Sequence, residues 1–396
     1  MVYRQVIVLM KRTFLLLLSL CIVCSTVIFS ADRPAVSAES AVLYDPFSDT
    51  ILYEKDASTA RGMASTTKIM TAIVALEQYD LTQIVSVEPQ WCGIEGSSMY
   101  LKPGEQVTVL DLLYGLLLVS GNDAAVALAG LHPEGEVGFV AEMNRKASEL
   151  GLTKTHFDNP SGLDGKTHYT TAHELAKLTA YCMQNESFAE IVQIKSKEVA
   201  GRQLTNHNRL LNDIGACGVK TGFTKSCGRC LVSAKIQNDR LLICVTLNAP
   251  NDWEDHKSLY TYGFSQYTQV ELLGAGDCGS CPLVSSEKDA SRLYCNESFS
   301  VWLTETELDQ ITVALCGPRF VYGSVCAGMW YGSLQVRLNQ KILFETPVYF
   351  AQTSQETEQS VSLFAFLKNY LLGEESRERT TSKNLIRRGN LLSSRS

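Results

Sequence analysis

Strand-like segments stand on both sides of a largely helical stretch, and that order restricts the folds open to this chain. Residues 40–54 alternate or run apolar around Asp45-Pro46-Phe47-Ser48-Asp49, which predicts two strands joined by a turn. Residues 231–234 and 241–247 predict a second strand pair around Asn238-Asp239. Between them, 69–76, 109–118, 124–131 and 139–150 carry apolar residues at helical spacing, with Gly151 as a stop and only a short strand at 81–87. Thr170 or Thr171 predicts a further N-cap, with Glu174 completing a capping box. Strand pairs so separated can share one antiparallel sheet with the helices packed against it, an α+β arrangement. After Tyr267 the helical pattern fades, and 272–350 holds short apolar runs broken by Gly, Pro and Ser, which predicts a small all-β domain. Two domains agree with a length of 396 residues at about 150 residues per domain.

Composition removes several functional classes. The hydrophobic share of 45% and charged share of 19% are those of a globular protein, and a net charge of -7 excludes non-specific nucleic-acid binding. Lys11 and Arg12 precede an apolar run over 14–29, followed by Val36-Ser37-Ala38, which reads as an export signal covering 1–38 and cut after Ala38. The competing reading is an uncleaved anchor, but the run falls short of the roughly twenty residues needed to span a bilayer. Cys21 and Cys24 lack the small residues of a lipoprotein cleavage site. Export leaves eleven of the thirteen cysteines, an odd number, so at least one thiol is unpaired. Cys227-Gly228-Arg229-Cys230 and Cys278-Gly279-Ser280-Cys281 could together offer four thiolates to zinc. Cys230, however, precedes Leu231-Val232 in a buried-strand pattern, where cysteine acts as a small hydrophobe; no metal and no cofactor are expected.

Ser65-Thr66-Thr67-Lys68 opens an apolar helical run. Residues three apart share a helix face, so the Lys68 amine can approach the Ser65 hydroxyl. A desolvated lysine can take the serine proton and make a nucleophile of it. Ser65 is also an ordinary helix cap, and S-x-x-K alone is a weak signal. It gains weight from Ser120-Gly121-Asn122 and Lys220-Thr221-Gly222, because S-x-x-K, S-x-N and K-T-G in that order form a serine acyl-enzyme signature. The third motif is expected just before the strands that begin at Leu231.

On these residues, with Ala64, Asp123-Ala124, Asn159-Pro160-Ser161-Gly162-Leu163 and Phe223-Thr224, the chain resembles the low-molecular-weight penicillin-binding proteins that act as serine-type D-alanyl-D-alanine carboxypeptidases. The resemblance covers 40–268 strongly and the rest more loosely. It implies a penicillin-binding/β-lactamase-like transpeptidase domain over 39–268, an antiparallel sheet with helices, followed by the small all-β domain over 270–352. It implies an amphipathic helix at 357–373 that attaches the protein to the outer face of the cytoplasmic membrane, and a basic tail over 374–396. Leu363, Phe364, Leu367, Tyr370 and Leu371 have the spacing for an interfacial helix, and six Lys or Arg residues follow Gly373. The competing reading packs that helix on its own β-domain.

The roles implied by the resemblance suit each side chain. Ser65 attacks the bond between the terminal D-alanines of a peptidoglycan stem peptide, Lys68 takes its proton, and Ser120 relays a proton to the leaving amine. Asn122 binds the substrate amide, while Lys220 and Thr221 receive the terminal carboxylate. Gly222 leaves room beside the strand edge, and the N–H groups of Ser65 and Phe223 form the oxyanion hole. β-Lactams would be covalent inhibitors. Met63 departs from the proline of many relatives. Asp123, His173 and His207 read as structural hydrogen-bonders. Three alternatives stand beside this reading: a class A-like β-lactamase, for which no E-x-x-x-N pattern lies between Asn122 and Lys220; a D,D-endopeptidase on the same fold; and an inactive wall-binding protein, disfavoured because every motif side chain is present.

Overall fold

The two expected strand pairs do meet in one sheet. In this computed structural model, which describes residues 33–286, 289–323 and 325–351, β1 (Ser40–Asp45) and β2 (Thr50–Lys55) join β3 (Gly218–Thr224), β4 (Gly228–Gln237) and β5 (Arg240–Leu247). The sheet is antiparallel, in the order β2-β1-β5-β4-β3, with Ser40 paired to Leu247. Asn238 and Asp239 turn β4 into β5 with φ of 52° and 58°, a left-handed conformation these residues tolerate and a tight hairpin favours. Lys220-Thr221-Gly222, expected ahead of the strands, lies within the edge strand β3 instead. Periodicity could not show this, because a strand carrying Lys, Thr and Gly has too little apolar alternation to register.

Helices cover both faces. α1 (Lys68–Gln78), α2 (Val109–Leu117), α3 (Asn122–Gly130), α4 (Gly135–Glu149) and α5 (Ala172–Cys182) share a core with Val42, Val232 and Val245, while α6 (Asp252–Ser265) packs on Leu43, Leu242 and Cys244 from the other side. Neighbours along β1 thus feed opposite cores, as the two-residue strand period requires. Thr108 and Asp111 form a reciprocal capping box on α2. At α5 the expected box is half made: Thr171 accepts from the Glu174 N–H at 3.1 Å, but the Glu174 carboxylate accepts from the Lys154 N–H and the Thr155 hydroxyl instead.

Residues just ahead of position 39 pack into the first domain. The Ser37 N–H and hydroxyl both donate to the Asp255 carboxylate at 2.8 Å, and the Ala38 N–H joins them at 3.0 Å. Lys55 Nζ donates to the carbonyls of Val36 and Ala38, and Val36 and Ala38 are buried. The catalytic domain therefore uses residues ahead of position 39. The helix expected at 357–373, the basic tail and residues 1–32 lie outside the described residues.

The second domain starts at β6 (Thr268–Leu273), which pairs with β9 (Phe299–Leu303). Its main sheet contains β7 (Gly276–Val284), β8 (Ala290–Cys295), β10 (Ile311–Cys316), β11 (Val321–Tyr322), β12 (Trp330–Leu338) and β13 (Lys341–Phe350), in the order β10-β12-β13-β8-β7-β11. The domain is β-rich as expected, with one short helix at Glu305–Asp309. The cysteine pairs do not converge: Cys230 belongs to the catalytic core and Cys278 and Cys281 to the second core. Among the described residues no three His, Cys, Asp or Glu side chains are grouped to hold a metal.

A buried charge cluster joins the domains. Arg240, at the start of β5, donates to Asp45 at 3.3 Å, to Glu307 at 3.1 Å and to the Trp302 carbonyl at 2.7 Å, while the Tyr267 hydroxyl donates to Asp45 at 2.6 Å. The guanidinium also lies 4.2 Å from the centre of the Phe47 ring. One cation thus serves carboxylates from both domains. Arg240→Met is expected to destabilise the protein by about 3–5 kcal/mol, because two buried carboxylates lose their common partner. Urea unfolding measures this, and a change under 1 kcal/mol would show that the cluster does not couple the domains.

Candidate active site

Ser65 sits in a 3₁₀ turn, Ala64–Thr67, that runs directly into α1 at Lys68. The hydroxyls of Thr66 and Thr67 donate to the carbonyls of Met63 and Ala64 at 2.6 and 2.8 Å and hold the turn closed. His168 braces it from behind. Its Nδ1 accepts from the Asp158 N–H at 2.9 Å, so Nε2 carries the proton and donates to Thr67 Oγ1 at 2.7 Å. Burial pushes the His168 pKa down to about 4, which keeps the ring neutral at pH 7.

Lys68 is fully buried, and its Nζ has three oxygen neighbours: Ser65 Oγ at 2.9 Å, Asn122 Oδ1 at 2.7 Å and the Ser161 carbonyl at 2.5 Å. Its pKa lies well below the usual lysine value, first because burial penalises the ammonium and second because the Lys220 cation is near; Asp123 works in the opposite sense. A neutral amine has two N–H donors and one lone pair. Nζ is within hydrogen-bond distance of all three oxygens; in the neutral form two N–H donors suffice for the Asn122 and Ser161 oxygens, and the lone pair is free to face the Ser65 hydroxyl. Lys220 is also buried, its pKa is pushed down to about 7 by that burial, and its Nζ donates to the Thr221 carbonyl at 2.9 Å.

Two glycines fix the distances around the serine. A Cβ on Gly162 would stand 2.0 Å from the Ala64 carbonyl oxygen, and its φ is +86°, so no side chain is accommodated there. Asn159 Oδ1 accepts from the N–H groups of Ser161 and Gly162, at 3.2 and 2.8 Å, and shapes the loop that delivers the Ser161 carbonyl. A Cβ on Gly222 would lie 3.0 Å from the Ser65 nitrogen and 3.1 Å from that of Thr66. The edge strand β3 thus passes directly beside the Ser65 N–H, with its outer edge unpaired in the sheet.

Ser120 and Asn122 stand at the entry to α3. Ser120 is buried and has φ of 62°, and Ala64 has φ of 47°; two non-glycine residues are thus held in the left-handed region at the site. Asn122 Nδ2 donates to the Glu95 carbonyl at 2.5 Å while its oxygen faces Lys68, so the amide expected to bind substrate is already engaged in orienting the lysine. Asp123 is structural as expected: its carboxylate accepts from the N–H groups of Met99 and Leu101, each at 3.0 Å, and from the Ser98 hydroxyl at 2.6 Å. It anchors the loop whose Glu95 and Ser97 carbonyls bond Asn122.

The structure therefore gathers Ser65, Lys68, Asn122 and Gly222 into one contact set, with Lys220 close enough to act on Lys68 through its charge. Thr221 is partly buried, and Phe223, at 64% exposure, faces solvent near the end of β3. Three contributors escaped the sequence: the Ser161 carbonyl, Gly162 and His168. The segment Asn159-Pro160-Ser161-Gly162 was visible, but a backbone acceptor leaves no side-chain signal.

Comparison with known proteins agrees with this geometry. Residues 27–251 match the peptidase S11 family model, described as D-alanyl-D-alanine carboxypeptidase. The chain is similar to D-alanyl-D-alanine carboxypeptidase DacF of Bacillus subtilis (strain 168), 29% identical over 84% of this chain and 89% of that protein. It is similar to DacC of Escherichia coli (strain K12), 31% identical over 83% of this chain and 86% of its relative. Among solved structures, penicillin binding protein 5 from Haemophilus influenzae superposes with a TM-score of 0.59 at 26% identity, covering 82% of this chain and 99% of that one. Signature, geometry and relatives coincide, and the chain belongs to the D-alanyl-D-alanine carboxypeptidase family of serine peptidases, S11.

Proposed function

We propose that Ser65 is the acylated nucleophile of a carboxypeptidase that removes the terminal D-alanine of peptidoglycan stem pentapeptides. The observation that carries this is Lys68 Nζ at 2.9 Å from Ser65 Oγ, in a burial that disfavours its charge. Lys68 takes the hydroxyl proton as Ser65 Oγ bonds to the carbonyl carbon. The N–H groups of Ser65 and Phe223 receive the oxyanion, which fits the close passage of Gly222 along the serine nitrogen. As the C–N bond breaks, the proton moves from Lys68 by way of Ser120 to the amine, and D-alanine leaves. Water then enters, gives its proton to Lys68 and hydrolyses the ester. Lys220 and Thr221 hold the terminal carboxylate, and Asn122 orients Lys68.

Deacylation without a dedicated carboxylate is slow, so β-lactams inhibit the enzyme rather than serve as its substrates. Asp123, adjoining the second motif, is saturated by its own loop. Incubation with a D-Ala-D-Ala pentapeptide, run beside a D-Ala-cross-linked dimer, separates the remaining readings. Release of free D-alanine with the dimer intact is expected. Preferential cleavage of the dimer would make the enzyme an endopeptidase, and benzylpenicillin turnover at many molecules per second would make it a β-lactamase.

The site works outside the cytoplasm, where its polymeric substrate is. The export segment ends before Val36, since Asp255 needs Ser37 and Ala38. Mass spectrometry of the exported protein should give an N-terminus upstream of Val36; one at residue 39 would contradict this. Residues 357–373 attach the protein peripherally to the membrane surface, with the basic tail favouring anionic lipid.

A further inference from the structure

Cross-strand register builds a row of aromatic side chains on the outer face of the six-stranded sheet. Trp330 of β12 stands opposite Tyr349 of β13, and Tyr349 stands opposite Tyr294 of β8. Residues directly paired across strands project from the same face. The Tyr294 and Tyr349 ring centres are 5.8 Å apart, and the row ends at Asp277, opposite Tyr294 and ion-paired with Arg292. The inward neighbours Tyr331, Leu293, Val348 and Phe350 fill the core, so folding accounts for them. It does not account for Trp330 at 66% exposure beside Met329 at 47%. Farther along the same face the chemistry changes: Ser333 and Gln335 donate to Glu345 at 2.6 and 2.8 Å, and Arg337 donates to Gln335 at 3.1 Å. The aromatic surface is confined to one end of the face.

That end is where the described chain leaves the domain. The Phe350 N–H donates to the Met329 carbonyl at 2.9 Å and the Ala351 N–H to that of Arg292 at 2.8 Å, so Ala351, the last described residue, lies beside the row. The sequence beyond runs for 45 residues, 396 less 351, and holds the apolar set from Leu363 to Leu371 and then six Lys or Arg against three Glu. Tryptophan and tyrosine join an apolar body to a polar edge and favour the headgroup level of a bilayer.

We propose that Trp330, Tyr349 and Tyr294 form a second membrane-contact surface, seated on an anionic bilayer beside the C-terminal segment. This rests on reading 357–373 as a membrane-surface helix. Two weak contacts on one chain reinforce each other, because the first raises the effective concentration of the second. The face also fixes the orientation of the β-domain, which a single flexible attachment would leave free.

The test uses the exported protein with anionic vesicles carrying brominated acyl chains. Trp330 emission is isolated as the difference between wild type and Trp330→Phe. Binding should quench that component, and Trp330→Ala should weaken vesicle affinity about tenfold while hydrolysis of a soluble pentapeptide is unchanged. If the protein binds vesicles but the Trp330 component is not quenched and Trp330→Ala binds as wild type, the helix acts alone and the proposal falls. If no vesicle is bound, the membrane reading fails and takes the proposal with it. If soluble wall-glycan fragments shift Trp330 emission and vesicles do not, the row is a sugar platform and the proposal is wrong.

Discussion

Replacing Ser65 by alanine will abolish D-alanine release and penicillin acylation together, while the protein remains folded. Oγ is the only atom of the side chain that the reaction needs, and a methyl group in its place offers no nucleophile. The loss in kcat is expected to be at least about 10⁴-fold. Stability should change by no more than about 0.5 kcal/mol, since Ser65 is partly exposed and the turn is held by Thr66, Thr67 and His168. Intact-mass measurement after benzylpenicillin would show the acyl adduct on wild type only. An adduct on Ser65→Ala would place the nucleophile elsewhere. Lys68→Arg should be nearly as inactive, because a guanidinium cannot give up its proton and has no lone pair to offer Ser65.

Lys220→Gln should have two separable effects. The first falls on the substrate: losing a charged partner for the terminal carboxylate should raise KM about 10- to 100-fold. The second falls on pH dependence. Lys68 is active when neutral, and its pKa is depressed by burial first and by Lys220 second. Removing the cation relaxes the second cause, so the Lys68 pKa rises and the acidic limb of the acylation profile moves to higher pH. An unchanged limb would leave burial as the whole cause. The limb is best measured with a β-lactam at saturation, which isolates it from the change in KM.

Burial holds the Lys220 pKa down to about 7, so at neutral pH it is charged only part of the time. An arriving carboxylate favours the ammonium form.

Much of this site was readable in the sequence because acyl transfer demands particular side chains. Ser65, Lys68, Ser120, Asn122, Lys220 and Thr221 announce themselves by type and spacing. Backbone contributions do not. The Ser161 carbonyl on Lys68 and the passage of Gly222 along the Ser65 nitrogen depend on main-chain positions. The S-x-N motif singles out Asn122 but not its protein partners: its amide spans Lys68 and Glu95, which only the folded loop brings to it.

Local patterns likewise located the strand pairs and most helices, since period-two and period-3.6 apolar spacing are properties of a short window. They do not reach contacts made by a distant partner: the Ala38 N–H donates to Asp255, 217 positions away. Arg240 follows the Asn238-Asp239 turn, and only the docking of the second domain surrounds it with Asp45 and Glu307. Residue type and near-neighbour spacing were enough to name the reaction class and the α+β plan with a β-rich second domain, and to propose Ser65 as nucleophile and Lys68 as its base. Only the tertiary structure shows that Lys68 is buried, which lowers its pKa, that β3 is an edge strand, and that Ser37 and Ala38 bind Asp255. Burial, sheet order and long-range hydrogen bonds depend on residues that meet only when the whole chain has folded.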